Sequence, residues 1–97
     1  MPRNQKLTTV IRGRTVQSAT GEPRRLVVMF SDHSTMTVKT TGLALTISTG
    51  ARIKAVLENG DECTLQFEDG SSVTLELADP GASVAVRARD NMVEYLG

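Results

Sequence analysis

Among its 97 residues the chain has no tryptophan, two phenylalanines and one tyrosine, so the aromatic burial that usually anchors a small core is scarce. The core must then come from Val, Leu, Ile and Met, each worth about 1.5–3 kcal/mol when fully buried. A single cysteine, Cys63, excludes an intrachain disulfide and any multi-cysteine zinc site. No apolar run approaches the roughly 18 residues of a membrane-spanning helix. Nor does an apolar stretch follow Met1-Pro-Arg-Asn-Gln-Lys as a secretory signal would require. A cytoplasmic compartment is therefore expected. Apolar residues at 39% and charged ones at 23% are ordinary globular proportions, and disorder is not indicated.

Net charge is zero, but the balance is not local. Residues 1–42 carry seven basic and two acidic residues, and residues 43–97 carry four basic and nine acidic ones, giving +5 against −5. Such asymmetry hints at nucleic-acid contact or at complementary association, unless the halves interleave and the fields cancel.

What is present is strand-like. Twelve threonines, many valines and Gly/Asp/Asn turn signals favour half-buried pleats over helix. Cys63-Thr-Leu-Gln-Phe67 and Val73-Thr-Leu-Glu-Leu77 alternate apolar and polar residues on either side of Asp69-Gly70, a hairpin signature. Face matching sets Phe67 opposite Val73, Leu65 opposite Leu75 and Cys63 opposite Leu77. An odd loop of three or five residues, or a bulge, must then join the strands. Residues 26–38 repeat this arrangement without a gap at an offset of 37 residues: Phe30 falls on Phe67, Asp32 on Asp69, Ser34 on Ser71 and Met36 on Val73. The same offset places Val16 on Ile53. Each half then reads as a three-stranded meander, with strands near 14–19, 25–30 and 35–41 matching strands near 52–57, 62–67 and 72–78.

Around these meanders lie a connector and a tail. Leu43, Leu45 and Ile47 alternate with polar or small residues as a strand would, and residues 83–89 and 92–96 read as a closing hairpin about Asp90-Asn91. Residues 51–58 fit a short helix or a strand; the repeat favours a strand. Residues 1–6 are expected to be a flexible tail and residues 7–97 a single small β domain. The fold expected is all-β, with about eight short antiparallel strands closed as a small barrel or a two-sheet sandwich.

Chemistry is hard to find in this pattern. His33 lies in a turn, and Cys63 begins a strand on its apolar face, where a thiol is inert. Asp61 and Glu62 are separated from Glu68 and Asp69 by about 17 Å of strand, too far for the paired carboxylates of a hydrolase. Asp32 and Asp69 open turns, a structural role. No EF-hand spacing, P-loop or dinucleotide fingerprint occurs. No catalytic, metal or cofactor residue is assigned.

Two surfaces carry more content. Val27 and Met29 occupy outward positions whose counterparts are Thr64 and Gln66, so the first meander needs cover from another segment or another chain. Arg12, Arg14, Arg24 and Arg25 could instead form a stripe suited to a phosphate backbone, although no stacking aromatic accompanies them. The expectation is a non-enzymatic binding or assembly module that self-associates and contacts protein partners through Val27 and Met29. The alternative is a small β-barrel that binds nucleic acid through the four arginines.

Overall fold

Valine, threonine and isoleucine fill the pleats of eight antiparallel strands in the computed structural model, which describes residues 3–42 and 47–97. The first half supplies a helix and three strands: α1 (Gln5–Ile11), β1 (Val16–Glu22), β2 (Arg25–Phe30) and β3 (Thr35–Lys39). Then come β4 (Ile53–Asn59), β5 (Glu62–Phe67), β6 (Ser72–Glu76), β7 (Val84–Arg87) and β8 (Val93–Leu96). They form a five-stranded sheet in the order β1-β2-β3-β7-β8 and a three-stranded sheet in the order β4-β5-β6. Inward residues of both sheets meet in one core that contains Phe30, Met36, Ile53, Leu65, Phe67, Leu75 and Val86. The fold is thus two open sheets over a shared core. The connector strand expected at Leu43 and Leu45 lies outside the described residues; Ile47 beside it is buried in the core.

The duplication is realised strand by strand. β1, β2 and β3 begin and end 37 residues before β4, β5 and β6, so residues 51–58 contribute a strand and not a helix. Both first strands carry a bulge at the same place, between Val16 and Ser18 and between Ile53 and Ala55. Two isolated bridges join the sheets, Thr15 to Arg52 and Thr40 to Leu77. Each links a residue to its own counterpart, which requires a pseudo-two-fold axis through both bridges. Hydrogen bonds obey it: Val16 N–H donates to Ala51 C=O at 2.8 Å and Ile53 N–H to Arg14 C=O at 3.0 Å. At the other end Thr41 N–H donates to Glu76 C=O and Ala78 N–H to Lys39 C=O, both at 3.1 Å.

The hairpin register differs from the expected one by two residues. Val28 faces Met36 and Leu65 faces Val73, while Cys63 faces Leu75. Phe30 and Phe67 instead close three-residue loops, their N–H groups donating to Ser34 and Ser71 C=O at 2.9 Å. The aspartates tighten these loops: Ser34 N–H donates to Asp32 Oδ1 at 2.9 Å and Ser71 N–H to Asp69 Oδ1 at 2.8 Å. A slip of two preserves the faces, so the apolar set still points inward. The third loop residue is left-handed in both, at φ 70° for His33 and 90° for Gly70. Such a loop favours glycine there, and only the second half has one.

Helix α1 was not expected. Asn4 caps it, accepting from Leu7 N–H at 3.0 Å, and Leu7 and Ile11 form a single buried stripe one turn apart. Its job is at a sheet edge. Asn4 N–H donates to Val56 C=O at 2.8 Å, and the buried Thr8 hydroxyl both accepts from Val56 N–H at 3.0 Å and donates back to its C=O at 3.3 Å. Those bonds satisfy the outer backbone of β4 that would otherwise be open to pairing. Arg3 also bridges Leu57, so part of the stretch expected to be a flexible tail, residues 1–6, enters the fold.

Candidate functional site

Outward positions of the five-stranded sheet form two nearly uncharged rows across it, flanked at the β1–β2 turn end by a charged row of Glu22, Arg25 and Lys39. One runs Thr20, Val27, Thr37, Ala85, Leu96, and the other Ser18, Met29, Thr35, Arg87, Val93. Threonine and valine suit a pleated sheet, and Arg87 is the only charge in either row. Met29 is 38% exposed, Val93 46% and Leu96 68%, and Met92, just before β8, is 67% exposed. These are the large exposed hydrophobic residues among those described, and all four belong to this sheet or its last turn. Val27 is half-buried between its neighbours. Packed chiefly against β4 and β8, with Leu7 and Ile11 in the core, helix α1 lies away from the face. A shallow depression of about 340 Å³ indents it, bordered by Thr37, Lys39, Ala85 and Leu96.

The structure therefore extends the Val27–Met29 pair into a broader patch. Ala85, Val93 and Leu96 were missed because nothing in the sequence says that the closing hairpin pairs with β3. Its alternation was visible, but its neighbour was not.

The four arginines are not brought together. Arg14 is mostly buried and heavily partnered. Its Nη1 reaches Ser34 Oγ and Glu94 Oε2, each at 2.8 Å, and its Nε lies 3.8 Å from Asp32 Oδ2. The guanidinium also sits 5.9 Å from the centre of the Phe30 ring. This cluster ties the β2–β3 loop to β8 and leaves little charge for a ligand. Arg25 pairs with Glu22 at 2.9 Å at the opposite end of β2. Arg12 borders a recess of about 430 Å³ with Gly13, Lys54 and Glu68. The α1–β1 connection crosses to β4 there, where Gly13 N–H donates to Ile53 C=O at 2.9 Å. Arg24 is exposed in the β1–β2 turn.

Titratable groups elsewhere have structural partners. Cys63 is buried, and desolvation, helped by nearby Glu58, pushes its thiol up to about 12. The hydroxyls of Ser34 and Ser71, with their backbone N–H groups, hold Asp32 and Asp69 below the usual carboxylate value. Among the described residues no three His, Cys, Asp or Glu side chains converge as a metal site would require. No described helix is long and apolar enough to cross a membrane. No known protein family, curated protein or solved structure matches the chain.

Proposed function

We infer that this protein is a non-enzymatic assembly module. It self-associates through the outer face of the five-stranded sheet and contacts protein partners there. The observation that carries this reading is the confinement of the exposed large hydrophobic residues Met29, Met92, Val93 and Leu96 to one sheet or its last turn. Large exposed apolar residues gathered on one sheet point to a contact site, whereas singly scattered ones do not. A second copy is a natural occupant. The two rows from Thr20 to Leu96 and from Ser18 to Val93 carry one charge between them, so they are self-complementary in chemistry and can meet their own image across a two-fold axis.

Light scattering combined with thermal melting tests the reading. Wild type should show a mass above the monomer at high micromolar concentration. Met29→Lys or Leu96→Lys should return it to the monomer with little change in melting temperature, because both side chains are already exposed. A wild type that stays monomeric overturns self-association. A Met29→Lys variant that unfolds shows the face to be covered by its own chain.

A further inference from the structure

At the Thr40–Leu77 end of the molecule the two halves carry opposite charge at equivalent positions. Arg24, Arg25 and Lys39 in the first half correspond, at the same offset of 37, to Asp61, Glu62 and Glu76 in the second. The match extends to pairing: Arg25 stands directly opposite Lys39, and Glu62 directly opposite Glu76. Like charges placed face to face across a ladder destabilise it, and both halves accept that cost at the same rung. All six side chains are exposed. Glu22 offsets part of the basic cluster through Arg25, while no ion pair among the described residues neutralises Asp61, Glu62 or Glu76.

The acidic cluster also has a shape. Glu62 and Glu76 border a recess of about 250 Å³ with Thr40, Thr41 and Thr74. The Thr40 hydroxyl oxygen is buried in the wall of this recess with no hydrogen-bond partner. The recess lies on the outward side of the β5–β6 pair, at the end where Thr40 and Thr41 meet β6. Residues 39–41 bond to residues 76–78 at that end, and beyond them no described strand pairs with the outer edge of β6.

We propose that this recess receives the basic end of a second copy, with Arg24, Arg25 and Lys39 of one molecule set against Asp61, Glu62 and Glu76 of the next. The donor and acceptor patches sit at one end of the molecule, on the outward sides of different sheets. The same copy can therefore give its basic end to one neighbour and its acidic recess to another. The contact adjoins the apolar sheet face at Arg25 and Lys39, the rung next to Val27 and Thr37, but has a different signature. Electrostatic attraction between exposed clusters weakens with salt, whereas apolar burial does not.

A charge-swap experiment tests it. It is run in the Met29→Lys background, which removes the sheet-face contact. Self-association measured by sedimentation should weaken about tenfold or more between roughly 20 mM and 500 mM salt. Arg24→Glu with Lys39→Glu makes both patches acidic, and Glu62→Lys with Glu76→Lys makes both basic. Each doubly substituted protein alone should be monomeric, and an equimolar mixture should associate, because each patch again meets its opposite. All six positions are exposed, and circular dichroism confirms folding before mixing. A background protein that is monomeric at low salt overturns the proposal, as does a mixture that fails to associate. Retention of duplex DNA by the basic cluster, with no change of mass between salts, would assign Arg24 and Lys39 to nucleic acid instead and would also overturn it. Failure here leaves the sheet-face reading untouched, since that contact is absent throughout.

Discussion

Val27 and Met29 in the first half stand where Thr64 and Gln66 stand in the second, and Arg25 and Lys39 stand where Glu62 and Glu76 stand. The two halves share strand limits, bulge positions, loop lengths and the bridges that join them. Three of the residues they share point inward or close a turn, Phe30 and Phe67, Asp32 and Asp69, Ser34 and Ser71, while Thr37 and Thr74 lie on the outward faces. In β2 and β3 the inward differences exchange one apolar residue for another, whereas the changes of charge and polarity at Arg25, Val27, Met29 and Lys39 lie on the outward face. Core packing and loop closure thus constrain one set of positions and leave the other to vary in charge and polarity. The halves also end differently. β3 is flanked by β7 of the closing hairpin, whereas among the described residues no strand flanks the outer side of β6.

The largest expected effect probes the shared set. Truncating Phe30 or Phe67 to Ala should cost about 3–5 kcal/mol in either case, since each ring is almost fully buried beside the same kind of loop. Phe30 should be the more costly of the two, because Arg14 covers its ring and Ala51 occupies the equivalent place in the second half. Denaturant unfolding of both variants measures the difference, and a loss of under about 1 kcal/mol at either position would break the equivalence.

A smaller effect comes from the one polar cluster without a counterpart. Arg14→Ala should destabilise by about 1–2 kcal/mol, since Ser34 and Glu94 lose a charged, partly buried donor. The loops provide a finer comparison. Gly70→Ala should cost about 1 kcal/mol, because its backbone is left-handed. His33→Gly should be neutral or stabilising by up to about 1 kcal/mol, because the imidazole-bearing residue already bears the strain that glycine avoids. Thermal melting of the two variants should therefore move in different directions.

Acid should act on both loops alike. The carboxyls of Asp32 and Asp69 have folded-state values below the ordinary one, so the folded state binds their protons less readily than the unfolded chain does. Their contribution to stability is full above the ordinary carboxylate value, near pH 4, and is lost as pH falls further through the lowered folded-state values. Replacing both with Asn should flatten stability across that acidic range and leave the pH 5–8 profile unchanged. Hydrogen exchange addresses the edges. The Thr74 amide on β6 should exchange faster than the Thr37 amide on β3, because β3 has β7 as its second neighbour.

The meanders were legible because alternation with period two, the paired aspartate loops and the constant offset of 37 residues are local signals. The register was misjudged by two because alternation fixes faces and leaves the loop length open between three and five. Helix α1 escaped notice for an energetic reason. Seven residues that include two threonines have little intrinsic helicity, and this helix is held by the bonds from Asn4 and Thr8 to Val56 across the molecule. Half of the candidate face was legible. Val27 and Met29 stood out against their counterparts in the repeat, whereas Ala85, Val93 and Leu96 joined them only through the pairing of β3 with β7. The arginine stripe failed because linear proximity did not reveal Glu94, which arrives from 80 residues away to pair with Arg14.

The most direct test of the central claim gives the first half the outward residues of the second. Val27→Thr with Met29→Gln copies Thr64 and Gln66 onto the equivalent rungs and introduces nothing the fold does not already carry. Sedimentation at high micromolar concentration, above about 500 mM salt to screen exposed charges, isolates the sheet-face contact. The account predicts a folded protein with stability within about 1 kcal/mol of wild type and with that self-association lost. A swapped protein that unfolds, or one that associates as wild type does, would contradict it.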